Sequence, residues 1–305
     1  AYFAELPAVV WDIQRAGPST GMPTRTQQSD LMAAAYASHG DTRHPILLPS
    51  TPFECFEFGA LSLDLADRLQ TPVIVLSDLE LGMNESLSEP LQWDDDRKYD
   101  RGKVFNAEDL DKLDVFGRYL DVDSDGIGYR TLPGTHPDKG AFFTRGTSRN
   151  EFATYTESPE AYEQNMERLL EKWNTAAKLV PSAEIASETR NIGVIYFGTT
   201  ALPMPEALDM LADDGIYLDT CRIRAFPFGE EVSEFVNAHE LIFVIEQNRD
   251  EQMRKLLINE RNFAPNKLIS ITYYAGLSIS ADFIRQRITT YYQENKLARV
   301  TEVQS

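Results

Sequence analysis

The chain has 305 residues, 42% of them hydrophobic and 10% aromatic, which is enough for two ordinary domains with buried cores. Its formal net charge of −19 and isoelectric point near 4.6 exclude the broad basic face that nucleic acid or an anionic membrane requires. No apolar run is long enough to span a bilayer, which takes roughly 18 residues, and AYFAELPAVV (1–10) has neither the basic start nor the cleavage pattern of a secretory signal. A cytoplasmic protein is expected.

The first 84 residues alternate between strand and helix patterns. PAVVWDI (7–13) is apolar and β-branched and reads as a buried strand. It runs into the polar loop QRAGPSTGMPTRTQQ (14–28), and SDLMAAAYASHG then reads as a short helix opening on a capping candidate. PILLP (45–49) and TPVIVLSD (71–78) read as further strands around the crossover helix FECFEFGALSLDLADRL. Two continuous hydrophobic strands joined in this way indicate a parallel sheet covered on both faces.

Residues 85–187 differ in character. The stretch from Asn84 to Asn150 is rich in Asp, Gly, Pro and Arg and reads as an extended connection. It ends in the helix SPEAYEQNMERLLEKWNTAAKL (158–179), with Ser158 as cap and Pro159 in the first turn. Residues 188–305 return to α/β. Strands are expected in NIGVIYFGTT, IYLDTCRIR, ELIFVIEQN and KLISITYY, and helices in PEALDMLADDG, RDEQMRKLLINER and SADFIRQRITTYYQENK. The two α/β regions are expected to be separate, the second being a smaller doubly wound domain.

Several stretches are candidates for chemistry. DVDSDGIGYRTL (121–132) resembles a calcium loop, with Asp121, Asp123 and Asp125 at alternate positions and Gly126 at the sixth, but Leu132 stands where the bidentate Glu belongs. A turn rich in Asp and Gly explains it better. FGTTALP (197–203) either cradles a phosphate or is a strand-to-helix turn capped by Thr199 or Thr200. EQNRDEQ (246–252) either lines an interface or begins a solvated helix. Cys55 and Cys221, the only cysteines, read as free buried thiols, and two thiols cannot hold a four-cysteine iron–sulfur cluster. The histidines His39, His44, His136 and His239 show no metal-ligand spacing.

The loop 14–28 is the sharpest candidate. Arg15 follows the strand, and its guanidinium is a planar fork suited to a carboxylate or phosphate. Thr20 and Thr24 could add hydroxyls, while Gly17, Pro18, Gly21 and Pro23 set the loop's path. A polar loop between a strand and a helix is where open α/β sheets hold ligands. The loop has no general base, so it reads as a grip for an anion. An ordinary surface loop stays open as the plainer reading.

QRAGPSTGMPTRTQQSDL closely resembles the signature loop of the α subunits of 2-oxoacid:ferredoxin oxidoreductases, thiamine-diphosphate enzymes that oxidatively decarboxylate a 2-oxoacid onto coenzyme A. The resemblance continues through TPVIVLSDLELG, GIGYRTLPGTHPDKGAFFTRGTSRNE and VIEQNRDEQMRKLL, and the GYRTLPG form looks most like the 2-oxoglutarate enzymes. It implies the later part of a pyrimidine-binding-type domain over 1–84, the extended connection over 85–187 and a transketolase C-terminal-like α/β domain over 188–305. It places the family's substrate-contacting Arg and Thr on Arg15 and Thr24, with Thr20 and Arg25 as further substrate-binding candidates; Arg25 is the candidate cation for a distal carboxylate. It implies thiamine diphosphate, Mg2+ and a [4Fe-4S] cluster, the last two in a β subunit, with ferredoxin and coenzyme A as partners and an α2β2-type assembly. The family's glutamate that meets the cofactor's pyrimidine lies in an earlier part not represented here. Pyruvate or a branched-chain 2-oxoacid is the alternative substrate, and a non-catalytic acidic scaffold or calcium-binding module the alternative function.

Overall fold

The computed structural model describes residues 1–295 and residue 297. In its first part, β1 (Ala8–Gln14), α1 (Leu31–Ala35), β2 (Ile46–Leu47), α2 (Pro52–Leu69), β3 (Pro72–Asp78) and α3 (Leu79–Met83) follow one another. Thr51 caps α2 by accepting from the Glu54 amide, with Pro52 preset for the first turn. The connection holds α4 (Ala107–Asp111) and ends in α5 (Pro159–Ala176), where Ser158 accepts from the Ala161 amide as its sequence anticipates. Then come β4 (Glu184–Ala186), β5 (Ile192–Phe197), α6 (Met204–Asp213), β6 (Asp219–Ile223), β7 (Ala225–Phe226), α7 (Glu230–Ala238), β8 (Leu241–Glu246), α8 (Gln252–Arg261), β9 (Leu268–Thr272) and α9 (Ala281–Glu294).

The strands form two sheets. The first has the order β1-β3-β2-β7, with β1, β3 and β2 parallel and β7 antiparallel to β2. The second has the order β4-β6-β5-β8-β9, parallel except for β4. β1 departs from the sequence expectation of a buried strand. Among the described residues it pairs only with β3, and Val10, Trp11 and Ile13 are 50%, 39% and 45% exposed. Apolar, β-branched composition specifies a strand but not its place in the sheet, and an edge strand leaves such side chains uncovered.

β7 comes from the second α/β region of the sequence yet completes the first sheet. One core lies between the sheets. Ile46, Leu48, Ile74 and Leu76 share it with Ile195, Phe197, Val244 and the buried thiol of Cys221, and α1, α7 and α8 pack into the same cluster. The outer face of the first sheet packs on α2 and the end of α5, and that of the second on α6 and α9. Arg222 on β6 adds a polar tie, donating twice to the Glu54 carboxylate of α2 at 2.8 Å. Burial alone would raise that carboxyl, but the Arg222 and Ser50 bonds hold it well below the usual range.

The long connection is tied down by a buried charge cluster. The Glu5 carboxylate, fully buried, accepts from Arg149 Nη2 at 3.0 Å, Lys172 Nζ at 3.0 Å and Arg168 Nη1 at 2.9 Å, while Arg118 donates to the Glu5 carbonyl at 3.1 Å. The Arg149 guanidinium lies 4.3 Å from the Phe3 ring centre and 4.0 Å from that of Tyr119. Burial would raise the Glu5 carboxyl, yet Lys172 and Arg168 hold it far below the ordinary glutamate value. The Lys172 ammonium is pulled down to about 8 by burial among the arginines, against the attraction of Glu5. The N-terminal turn, the connection and α5 are thereby locked together.

Candidate active-site cleft

The loops that leave β1 and β8 at their carboxyl ends converge, and their contacts are specified side chain by side chain. Gln14, the last residue of β1, is buried. Its Nε2 donates to the Ser77 carbonyl at 3.3 Å and its Oε1 accepts from the Asp30 amide at 3.1 Å, which pinches the loop shut at its base. Within the loop, Ala16 N donates to the Arg25 carbonyl at 2.8 Å and Met22 N to the Ala16 carbonyl at 3.2 Å. Asp30 makes no capping bond to α1; the first-turn amide of Met32 is satisfied instead by Gln252 Oε1 at 3.0 Å, from the start of α8. A tertiary partner therefore replaces the local cap.

The two other turn motifs resolve into this junction. Glu246, Gln247 and Asn248 are buried, so the interface reading of 246–252 holds for them, while Arg249 and Asp250 are exposed and Glu251 and Gln252 half-buried. Gln28 N donates to the Gln247 carbonyl at 2.8 Å and Asn248 Nδ2 to the Gln28 carbonyl at 3.0 Å. In the 197–203 turn, the capping role expected of Thr199 and Thr200 is not realised. Both threonines are buried. Thr199 donates to Asp78 Oδ2 at 2.5 Å, Thr200 donates to Gln28 Oε1 at 3.2 Å, and Gln247 Nε2 donates to both hydroxyls at 3.2 Å. A paired network of this kind fixes register between two packed sheets. Burial raises the Asp78 carboxyl even though Thr199 and two backbone amides bond to it.

At this junction opens a cleft of about 870 Å³. Arg15 and Arg249 are the cations among its described lining residues, facing the carboxylates of Asp12, Asp30 and Asp250, with Ile13, Met22, Leu79 and Tyr274 supplying apolar surface. Burial raises both the Asp12 and the Asp30 carboxyl, and the charge of Asp12 adds to the effect on Asp30. Among the described residues, the lining has no His, Cys or Lys. The cleft can orient an anion and shield it from bulk water; the reactive group must come with a ligand or a partner.

Of the four loop residues singled out from the sequence, Arg15 alone lines this cleft. Its Nη2 donates to Thr20 Oγ1 at 3.2 Å, and it forms no ion pair among the described residues. Arg25 turns to its neighbour, its Nη1 donating to the Thr24 carbonyl at 2.9 Å and to Thr24 Oγ1 at 3.3 Å. The structure thus joins Arg15 to Thr20 and Thr24 to Arg25, all four exposed. Sequence reasoning passed over Gln14 and Gln28, which fix the loop, and Arg249, although it flagged the segment that carries Arg249.

Lys103 organises the acidic loop. Lys103 Nζ donates to Asp125 Oδ1 at 2.6 Å, to Asp123, and to the Ile127 carbonyl at 3.0 Å. Asp121 accepts from the Gly126 amide at 2.8 Å. The three carboxylates do converge within 4.8 Å, but an ammonium already sits on two of them. Although burial opposes its charge, the bonds to Asp123 and Asp125 hold the Lys103 ammonium above its usual range.

The family model for the pyruvate flavodoxin/ferredoxin oxidoreductase, thiamine-diphosphate-binding domain matches residues 1–173, more than half of the chain. This chain belongs to that family. The 2-oxoacid:ferredoxin oxidoreductase 2 subunit alpha of Aeropyrum pernix is 31% identical over 273 residues, covering 87% of this chain and 41% of that protein. The 2-oxoglutarate synthase subunit KorA of Methanothermobacter marburgensis is 30% identical over 254 residues, covering 81% and 64%. Among solved structures, the 2-oxoglutarate:ferredoxin oxidoreductase of Magnetococcus marinus, determined with 2-oxoglutarate, coenzyme A and succinyl-CoA bound, superposes with a TM-score of 0.81 at 26% identity, covering 94% of this chain and 49% of that one. The chain therefore spans between about two fifths and two thirds of the length of these relatives. The α-subunit resemblance of the loop motif and the α/β class read from the sequence both stand.

Proposed function

We propose that this chain is the α-subunit portion of an enzyme that oxidatively decarboxylates 2-oxoglutarate to succinyl-CoA, passing two electrons singly to ferredoxin. The observation that carries this reading is Arg15. It stands at the carboxyl end of a parallel strand, over the cleft between the two sheets, and forms no ion pair among the described residues. An arginine in that position clamps the 2-oxoacid carboxylate and holds the oxo carbon in a reactive pose. Thr20 steadies the guanidinium, while Thr24 and Arg25 form the outer rim of the same loop. Relatives that are named as α subunits support a β-subunit partner, and we read the assembly as α2β2 in the cytoplasm.

The residues present suit one wall of a thiamine-diphosphate site. Ile13, Met22, Leu79 and Tyr274 give apolar surface for the organic part of the cofactor. Thiamine diphosphate, when bound, supplies the nucleophilic carbon and the electron sink for decarboxylation. Two of the three carboxylates at 121–125 are already bonded to Lys103, and the two thiols lie apart on α2 and β6. We therefore assign Mg2+ and the [4Fe-4S] cluster to the β subunit. This chain's task is to bind, orient and exclude water.

The test is dye or ferredoxin reduction by the native complex with coenzyme A and 2-oxoglutarate, pyruvate or a branched-chain 2-oxoacid. The expected result is turnover of 2-oxoglutarate, with Arg15→Ala lowering kcat/KM by ~1.5–3 kcal/mol, about 10- to 150-fold. Turnover of another acid alone changes the substrate and keeps the mechanism. An unchanged kcat/KM in Arg15→Ala removes Arg15 from the site.

A further inference from the structure

The sequence offers Arg25 as the cation for a distal carboxylate, but in the structure Arg25 bonds to Thr24 and does not line the cleft. Arg249 does, and it arrives from the other sheet, on the loop after β8. We propose that Arg249 binds the distal carboxylate of a linear dicarboxylic 2-oxoacid whose oxo end is held by Arg15. This rests on the reading of the cleft as a 2-oxoacid site.

Three observations carry the assignment. First, Arg15 and Arg249 are the cations among the described residues lining one cleft, and they sit on separate loops, which offers a ligand with two anionic ends a cation for each. Second, Arg249 is available. Among the described residues its hydrogen-bond partner is its neighbour Asp250, with Nε to Oδ1 at 2.7 Å and Nη2 to Oδ2 at 3.0 Å, and the two side chains are 71% and 53% exposed. An exposed ion pair of this kind contributes little, so trading Asp250 for a substrate carboxylate costs little. The guanidinium is already shown binding a carboxylate through two parallel N–H bonds, the geometry the ligand would adopt. Third, the remaining charges on the cleft wall, Asp12 and Asp30, repel an anion, so a dianion is favoured only where a guanidinium offsets them.

The experiment compares 2-oxoglutarate with 2-oxopentanoate, which has a methyl group in place of the distal carboxylate, in the assembled enzyme. Arg249→Ala is expected to lower kcat/KM for 2-oxoglutarate at least 10-fold, mainly through KM. It should leave 2-oxopentanoate and the KM for coenzyme A within twofold of the parent. Arg249→Lys should recover part of the loss. Equal losses on both substrates, a raised KM for coenzyme A alone, or no loss at all would each overturn the assignment. Arg15→Ala separates this proposal from the reading beneath it. Loss on both substrates in Arg15→Ala with no selective loss in Arg249→Ala refutes only the role of Arg249. No loss in Arg15→Ala refutes the site itself.

Discussion

Replacing Glu5 with Gln keeps the shape of the side chain and removes the carboxylate that pairs with Arg149, Arg168 and Lys172. Glu5 and Arg149 are fully buried, and Lys172 and Arg168 are 5% and 10% exposed at the side chain, so water cannot take over the neutralisation. Breaking a buried ion pair by removing one partner costs about 3–5 kcal/mol, because the surviving charge is stranded in low dielectric. That is a large share of the ~5–15 kcal/mol that holds a typical domain folded. Urea denaturation followed by circular dichroism measures it, with Glu188→Gln as control. Glu188 pairs with Arg190 but is 76% exposed, so that change should stay within ~0.5 kcal/mol.

The pH dependence supplies a second reading of the same bond. Since the folded-state Glu5 carboxyl is held below its unfolded value, its contribution is fully present above the unfolded value near ~4.3. It is lost as pH falls from there through the folded-state value, because the unfolded chain binds the proton first. Glu5→Gln should therefore flatten the acid limb of the stability profile. A variant with parental stability and an unchanged acid limb would refute the account of the cluster.

Two further expectations follow from the acidic loop. Gly126 has a φ of +80°, and a Cβ there would fall 2.2 Å from Lys172 N and 2.5 Å from the Arg168 carbonyl, in the backbone of α5. Gly126→Ala should cost well over the ~1–2 kcal/mol of left-handed strain expected for Gly134→Ala, whose φ is +84° but whose Cβ would meet nothing within 4 Å. Equal costs in thermal melts would show that α5 yields at no expense. Because the Lys103 ammonium is already bonded to Asp123 and Asp125, millimolar calcium should leave the melting temperature unchanged. A calcium-dependent rise would show that the ion displaces the ammonium and would reopen the calcium-module reading.

Most elements were legible because their signals are local. Period-2 and helical patterns, together with Ser158, Thr51 and Ser280 at helix starts, mark their own segments. β7 was not legible. Two residues carry no periodicity, and their pairing partner Ile46–Leu47 lies far away in the chain. The capping roles read for Thr199 and Thr200 failed for a related reason. A threonine after a strand is a good cap in isolation, but here Asp78, Gln28 and Gln247 compete for its hydroxyl and win by burial.

For the site, the sequence by itself determined the family, the α/β class and the loop that bears Arg15, since glycines, prolines and an arginine at fixed spacing are a local constraint on one backbone path. Only the tertiary structure decided that Arg15 lines a cleft while Arg25 does not, and that Arg249 from another sheet joins it. It also decided that the calcium-like carboxylates belong to Lys103. Each of these depends on which distant strand or loop lies alongside, a matter settled by burying the shared core between the sheets.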